Sequence, residues 1–159
     1  PYMDSGMAWL GLSTFHFYTA LSCYALVSYT DKKGRKRMLR LAQEGVKKVR
    51  RWARYAPMNH MHKFYLLEAE RYRVIGNEMQ AAWAYGKAIA LAREHQYFNE
   101  EALANELAAK FYLETGRRQI AIEYFADAIM RYRAWGAEAK VHELEKNYPD
   151  LIIKDDEIE

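Results

Sequence analysis

Sliding this 159-residue chain against itself by 40 places brings residues 62–99 over 102–139 with a selective set of identities. Leu67 meets Leu107, Ala69 meets Ala109, Tyr72 meets Tyr112 and Gly76 meets Gly116. Ala81 meets Ala121, Ala88 meets Ala128, Ile89 meets Ile129, and Tyr85 meets Phe125 in kind. These are the residue types that two antiparallel helices need where they touch. Small alanines let backbones approach, an aromatic ring fills the groove, and glycine makes the turn. The recurrence predicts helical hairpins whose core holds Leu67, Tyr72, Ala81, Tyr85, Ala88, Leu107, Tyr112, Ala121, Phe125 and Ala128.

Apolar spacing of three and four extends the helical reading to the whole chain. Residues 7–29 carry no charge, with Asp4 or Ser5 as the expected cap and Asp31–Gly34 as the expected stop. Residues 36–56 place Met38, Leu41, Ala42, Gly45, Val46, Val49, Trp52 and Ala53 on one face, and Pro57 ends that helix. Further helices are expected at 60–75, 78–96 behind an Asn77/Gln80 capping box, 100–115 capped by Asn99, 118–135, and 137–147 before Pro149. The prediction is an all-α, right-handed superhelical stack of antiparallel helical hairpins. It forms a single domain over 1–149, with hairpins at 7–56, 60–96 and 100–135, a capping helix at 137–147, and an acidic linker or tail at 150–159. Three prolines and eight glycines in the whole chain leave few helix breakers, and no strand pattern competes.

The net charge of +3 conceals an asymmetry. Residues 31–55 hold eleven Lys and Arg against Asp31 and Glu44, while the remainder is acidic. Arg40, Lys47, Lys48, Arg50, Arg51 and Arg54 are expected to form a cationic face. That face suits nucleic acid or an anionic membrane, or else it is either a solvated convex face or a dock for an acidic domain of the same protein. The second is preferred, because no nucleic-acid motif accompanies the charge.

The order aromatic-x6-Tyr-x3-Gly-x4-Ala-x3-aromatic-x2-Ala, seen in Tyr65, Tyr72, Gly76, Ala81, Tyr85 and Ala88, resembles the tetratricopeptide repeat. The second copy, Tyr112, Gly116, Ala121, Phe125 and Ala128, departs by placing Asn105 at the first aromatic position, and its period of 40 exceeds the usual 34. Longer strings, WARYAPMNHMHKFYLLEAERYRVIG, EEALANELAAKFYLETG and YRAWGAEAKVHELEKNYPDL, resemble the helical-repeat region of large bacterial, cyanobacterial-type signalling proteins. In that family a serine/threonine kinase-like domain and an AAA-type ATPase precede the repeats, and GAF and often histidine kinase modules follow. The resemblance implies a cytoplasmic fragment of a multidomain signalling chain, and a start at Pro1 rather than Met fits it. By analogy with tetratricopeptide arrays, Lys63, Glu70, Arg73, Glu106, Lys110 and Glu114 are expected to line a groove for a peptide, a partner protein or a neighbouring domain. The bland alternative is that they form pairs along their own helices, as Glu106 and Lys110 are spaced to do.

Chemistry-bearing motifs are scarce. There is no phosphate loop, no zinc-protease helix motif and no nucleophile elbow. His60 and His62 stand two apart, which on a helix directs them about 200° apart, so a shared metal is not expected. Lone Cys23 on an apolar helix is expected as a buried structural thiol, and one cysteine makes no disulfide. The expectation is therefore a non-catalytic interaction scaffold without metal or cofactor. The 7–29 helix is read as a buried helix and a homodimer contact rather than a membrane span, since His16 and several hydroxyl residues interrupt it.

Overall fold

A computed structural model describes the backbone of residues 2–152 and the side chains of residues 11–152. The described residues are all-helical: α1 Tyr2–Leu26, a single 3-10 turn Val27–Tyr29, α2 Lys32–Tyr55, α3 Pro57–Val74, α4 Glu78–Glu94, α5 Phe98–Glu114, α6 Arg118–Trp135 and α7 Glu138–Asn147. The chain divides into two compact units, Pro1–Ala88 and Ile89–Glu159, where the sequence predicts one domain. The division falls inside α4 rather than in a linker.

Helix ends follow local chemistry. Asp31, expected as part of a stop, caps α2 instead: its Oδ1 accepts from the Gly34 amide at 2.7 Å, so α2 begins four residues early. Pro57 sits in the first turn of α3, where its missing N–H costs nothing. The Gln80 amide donates to Asn77 Oδ1 at 3.2 Å, the side-chain half of the expected capping box. Two expected caps are corrected. Asp4 and Ser5 lie within α1, which starts at Tyr2, and Asn99 lies within α5, which starts at Phe98.

Four interhelix turns share one backbone form. Gly76, Gly116 and Gly136 adopt φ of 77°, 78° and 83°, and Gln96 adopts 61°. In each turn the next residue's amide reaches back five places to a helix carbonyl: Asn77 to Tyr72, Tyr97 to Ala92, Arg117 to Tyr112 and Ala137 to Tyr132. This is the Schellman closure, which satisfies the last carbonyls of a helix and requires a left-handed residue. The left-handed residues stand twenty places apart, so the 40-residue recurrence contains a turn at its midpoint that carries Gln rather than Gly.

In the first unit α1 packs on α2 and α3, and α2 packs on α3. Helices α1 and α2 come close at Gly45, where an added Cβ would lie 2.9 Å from both the His16 carbonyl oxygen and Ala20 Cβ. Phe17, Ala20, Tyr24, Val49, Leu66, Leu67, Ala81 and Tyr85 are buried here. In the second unit α5 packs on α6 and α6 on α7, around Ala102, Ala109, Phe125, Ala128, Val141 and Leu144. Leu151 and Ile152 join this core, so the segment expected to leave as a linker at 150 first packs inward; residues 153–159 lie outside the described residues. Of the expected core, Tyr72, Leu107 and Tyr112 are only half-buried. Tyr72 lies under the Arg71 guanidinium at 4.3 Å, and Tyr112 stacks on Tyr124 with centroids 5.2 Å apart. Both rings are therefore partly at the surface rather than enclosed in the core.

Candidate functional site

Each expected groove residue has a definite place. Lys63 and Glu70 are buried, with 8% and 3% of their surface exposed, so neither presents its charge to a ligand. Glu70 is held on α3 by Arg73, whose Nη2 donates at 2.7 Å, and it accepts from the Tyr85 hydroxyl of α4. Glu106 is 2% exposed and accepts from Lys110 Nζ at 2.6 Å, Lys140 Nζ at 3.2 Å and the Tyr132 hydroxyl at 2.7 Å. Burial pushes the Glu106 carboxyl up, but Lys110, Tyr132 and Lys140 outweigh it and hold the group below the usual carboxylate range. Glu114 alone of the six is exposed. Tyr85 of α4 closes over Glu70, and Tyr132 of α6 and Lys140 of α7 close over Glu106, and buried charge survives only with its partners. Pairing along the helix, the alternative to a groove, describes Glu70–Arg73 and Glu106–Lys110.

Asn105 is fully buried. Its Nδ2 donates to the Glu101 carbonyl at 2.9 Å. The Glu101 carboxylate in turn accepts from Arg93 Nε at 2.7 Å and Arg131 Nε at 3.0 Å. Asn105, Glu101, Arg93 and Arg131 thus form one polar knot.

The basic residues lie along α2. Arg40, Lys47, Lys48, Arg50, Arg51 and Arg54 are all exposed along α2, with Lys47 paired to Glu44 at 3.1 Å and Arg50 lying 5.9 Å from the Phe64 ring. Opposite this row, Ala42, Gly45, Val46, Val49 and Ala53 are buried, while Met38 and Trp52 of the expected apolar face are half-buried and Leu41 is exposed.

Between these faces lies a cavity of about 600 Å³ that the sequence reading did not anticipate. Helix α1 contributes Leu12 and His16, α2 contributes Lys48, Arg51 and Trp52, and α3 contributes His60. The Trp52 ring stands 5.9 Å from His16 and 6.3 Å from His60. Lys48 Nζ donates to His16 Nε2 at 3.2 Å, and Ser13 Oγ shares a hydrogen bond with His60 Nδ1 at 3.0 Å. A lysine ammonium only donates, so the accepting Nε2 carries no proton. Burial and Lys48 lower the His16 pKa, and burial and Lys63 lower that of His60. Two signals were available beforehand: a histidine interrupting an otherwise apolar helix, and a tryptophan at the edge of the α2 apolar face.

His60 and His62 lie inside α3, His62 fully buried, and among the described residues no group of three or more His, Cys, Asp or Glu is placed to hold a metal. Cys23 is a buried free thiol whose pKa burial raises. Among the described residues no helix is long and apolar enough to cross a membrane.

The chain is similar to the hybrid signal transduction histidine kinase G of Dictyostelium discoideum, 35% identical over 63 residues. That match covers 40% of this chain and 2% of the kinase's length. No family model matches the chain, and no solved structure matches it.

Proposed function

We propose that this chain is a non-catalytic protein-interaction and relay scaffold, a fragment of a multidomain signalling ATPase/kinase of the cytoplasm. In this reading the helices form a right-handed stack of antiparallel hairpins of tetratricopeptide type. The observation that carries the proposal is the similarity to a small stretch of a hybrid signalling kinase, far too short a share to include that protein's whole machinery. The evenly spaced Schellman turns support the hairpin architecture. A chain of such units transmits small rotations from neighbour to neighbour, which suits a relay. With Lys63, Glu70 and Glu106 buried, partner contact falls to the exposed α2 row and to exposed α1 side chains such as Leu12 and Phe15.

The test is the full reading frame around this segment, followed by crosslinking mass spectrometry of its product. ATPase and sensor modules in frame, and crosslinks from Lys47 or Lys48 to a neighbouring module, are expected. A product that lacks such modules and yields no crosslinked partner overturns the reading.

A second reading, a nucleic-acid- or anionic-membrane-binding module acting through residues 35–54, is favoured by the six exposed cations on one helix. It requires steeply salt-dependent retention on DNA or anionic vesicles, lost when Lys47, Lys48, Arg50 and Arg51 become Glu.

A further inference from the structure

We propose that the cavity bounded by α1, α2 and α3 is a binding site for a small planar aromatic anion, its ring lying on Trp52 between His16 and His60 and its charge held by Lys48 and Arg51. The site is built by helical periodicity. Lys48, Arg51 and Trp52 are spaced by three and four on α2 and share one ridge, while Leu12 and His16 are one turn apart on α1. Its volume of about 600 Å³ lies within the roughly 300–1,000 Å³ typical of small-molecule sites.

The lining decides the chemistry. Most of the wall is carbon and aromatic ring, which favours an apolar body over a hydrated ion. The two imidazoles are neutral near pH 7, since burial opposes their charging, and so they extend the aromatic wall. Both cations come from α2, three residues apart. Among the described residues neither Lys48 nor Arg51 has a carboxylate partner, and no acidic residue lines the cavity. Lys48 uses one N–H on His16 and keeps two more, and Arg51 offers a planar fork of donors suited to a carboxylate, sulfonate or phosphate. A neutral aromatic ligand would leave these donors without an acceptor. A bare inorganic anion would leave Trp52 uncovered.

The test is an NMR titration of the full chain with sodium 2-naphthoate, 2-naphthalenemethanol and inorganic phosphate as probes. Saturable binding of naphthoate below about 1 mM is expected, with the Trp52 indole and the His16 and His60 ring resonances moving together. The uncharged alcohol should bind about tenfold more weakly, a difference of about 1.4 kcal/mol. Lys48→Gln and Arg51→Gln, both at exposed positions, should each weaken naphthoate several-fold and leave the alcohol unchanged. Four results overturn the proposal: no response to millimolar naphthoate, equal affinity for the alcohol, full binding in both Gln variants, or phosphate matching naphthoate. Trp52→Leu adds a ring-specific arm, and the two Gln variants decide the matter if that protein does not fold.

Discussion

The Tyr132 hydroxyl donates to Glu106 Oε2 at 2.7 Å, joining α6 to α5 across 26 residues of chain, and Lys140 of α7 reaches the same carboxylate at 3.2 Å. One buried anion therefore ties three consecutive helices. Glu106→Gln keeps an acceptor for Tyr132 but abandons two ammonium groups. Because both lysines are about one-third exposed and can turn to water, the expected cost is about 1–3 kcal/mol, less than for a fully buried pair. The folded-state pKa of Glu106 is lowered, so its contribution is present above pH 4.5 and fades as the pH falls through the folded value. Urea unfolding at pH 7 should separate the variant from the parent, and the gap should close in acid. An unchanged gap at pH 3 would contradict the assignment.

The two histidines of the α1–α3 cavity carry the opposite proton logic. Their folded pKa values are lowered, so the unfolded chain takes up protons first as the pH drops below about 6.5. Stability is full above that value and declines through the window down to the folded values. The melting temperature is expected to fall between pH 7 and pH 5.5, and to fall less in His16→Asn and His60→Gln. A melting temperature that is flat over this range sinks the prediction.

Backbone conformation separates the four turns. Gly76 and Gly116 have no atom within 4 Å of an added Cβ, so a substitution there reports left-handed strain alone. Gly76→Val and Gly116→Val should each lose at least about 1–2 kcal/mol. Gln96 bears the same strain already, and Gln96→Gly should gain about 1 kcal/mol. Equilibrium denaturation of the three variants checks the pair of signs.

Close packing governs Gly45. The His16 carbonyl, 2.9 Å from the added methyl, belongs to helical backbone and cannot swing aside. Gly45→Ala should cost about 1–3 kcal/mol, and Gly45→Val more. Gly86, also helical but with nothing within 4 Å, is the control: Gly86→Ala should be stabilising by about 0.5–1 kcal/mol. A tolerated Gly45→Val would show that α1 and α2 do not meet as described.

The helices were legible because proline, glycine and three–four spacing act locally. Residues 118–135 emerge as α6 without adjustment, since a glycine bounds each side. An aspartate between two helices serves either as a stop or as a cap, and only geometry selects the Gly34 amide as the partner of Asp31. A helix end near residue 96 is legible, but the left-handed backbone of Gln96 is not, because a left-handed glutamine leaves no compositional mark. The expected groove dissolved for a different reason. Burial of Glu70 and Glu106 depends on Tyr85 and Tyr132 arriving from other helices, and no single-helix pattern contains that information. The Trp52 cavity likewise draws on three helices at once.

The equal spacing of the left-handed residues at 76, 96, 116 and 136 has a consequence for how this chain tolerates change in length. Each residue removed from a helix turns everything beyond it by about 100° and draws it back about 1.5 Å. A one-residue deletion in α5 would thus swing the Gly116 turn away from α6's docking surface. Loss or gain of forty residues, by contrast, takes two successive helices with their closing turns and leaves the direction and phase of the remaining elements intact. Length variants that still fold should accordingly differ by whole pairs of helix-and-turn modules, and the scars of such events should fall at the turns.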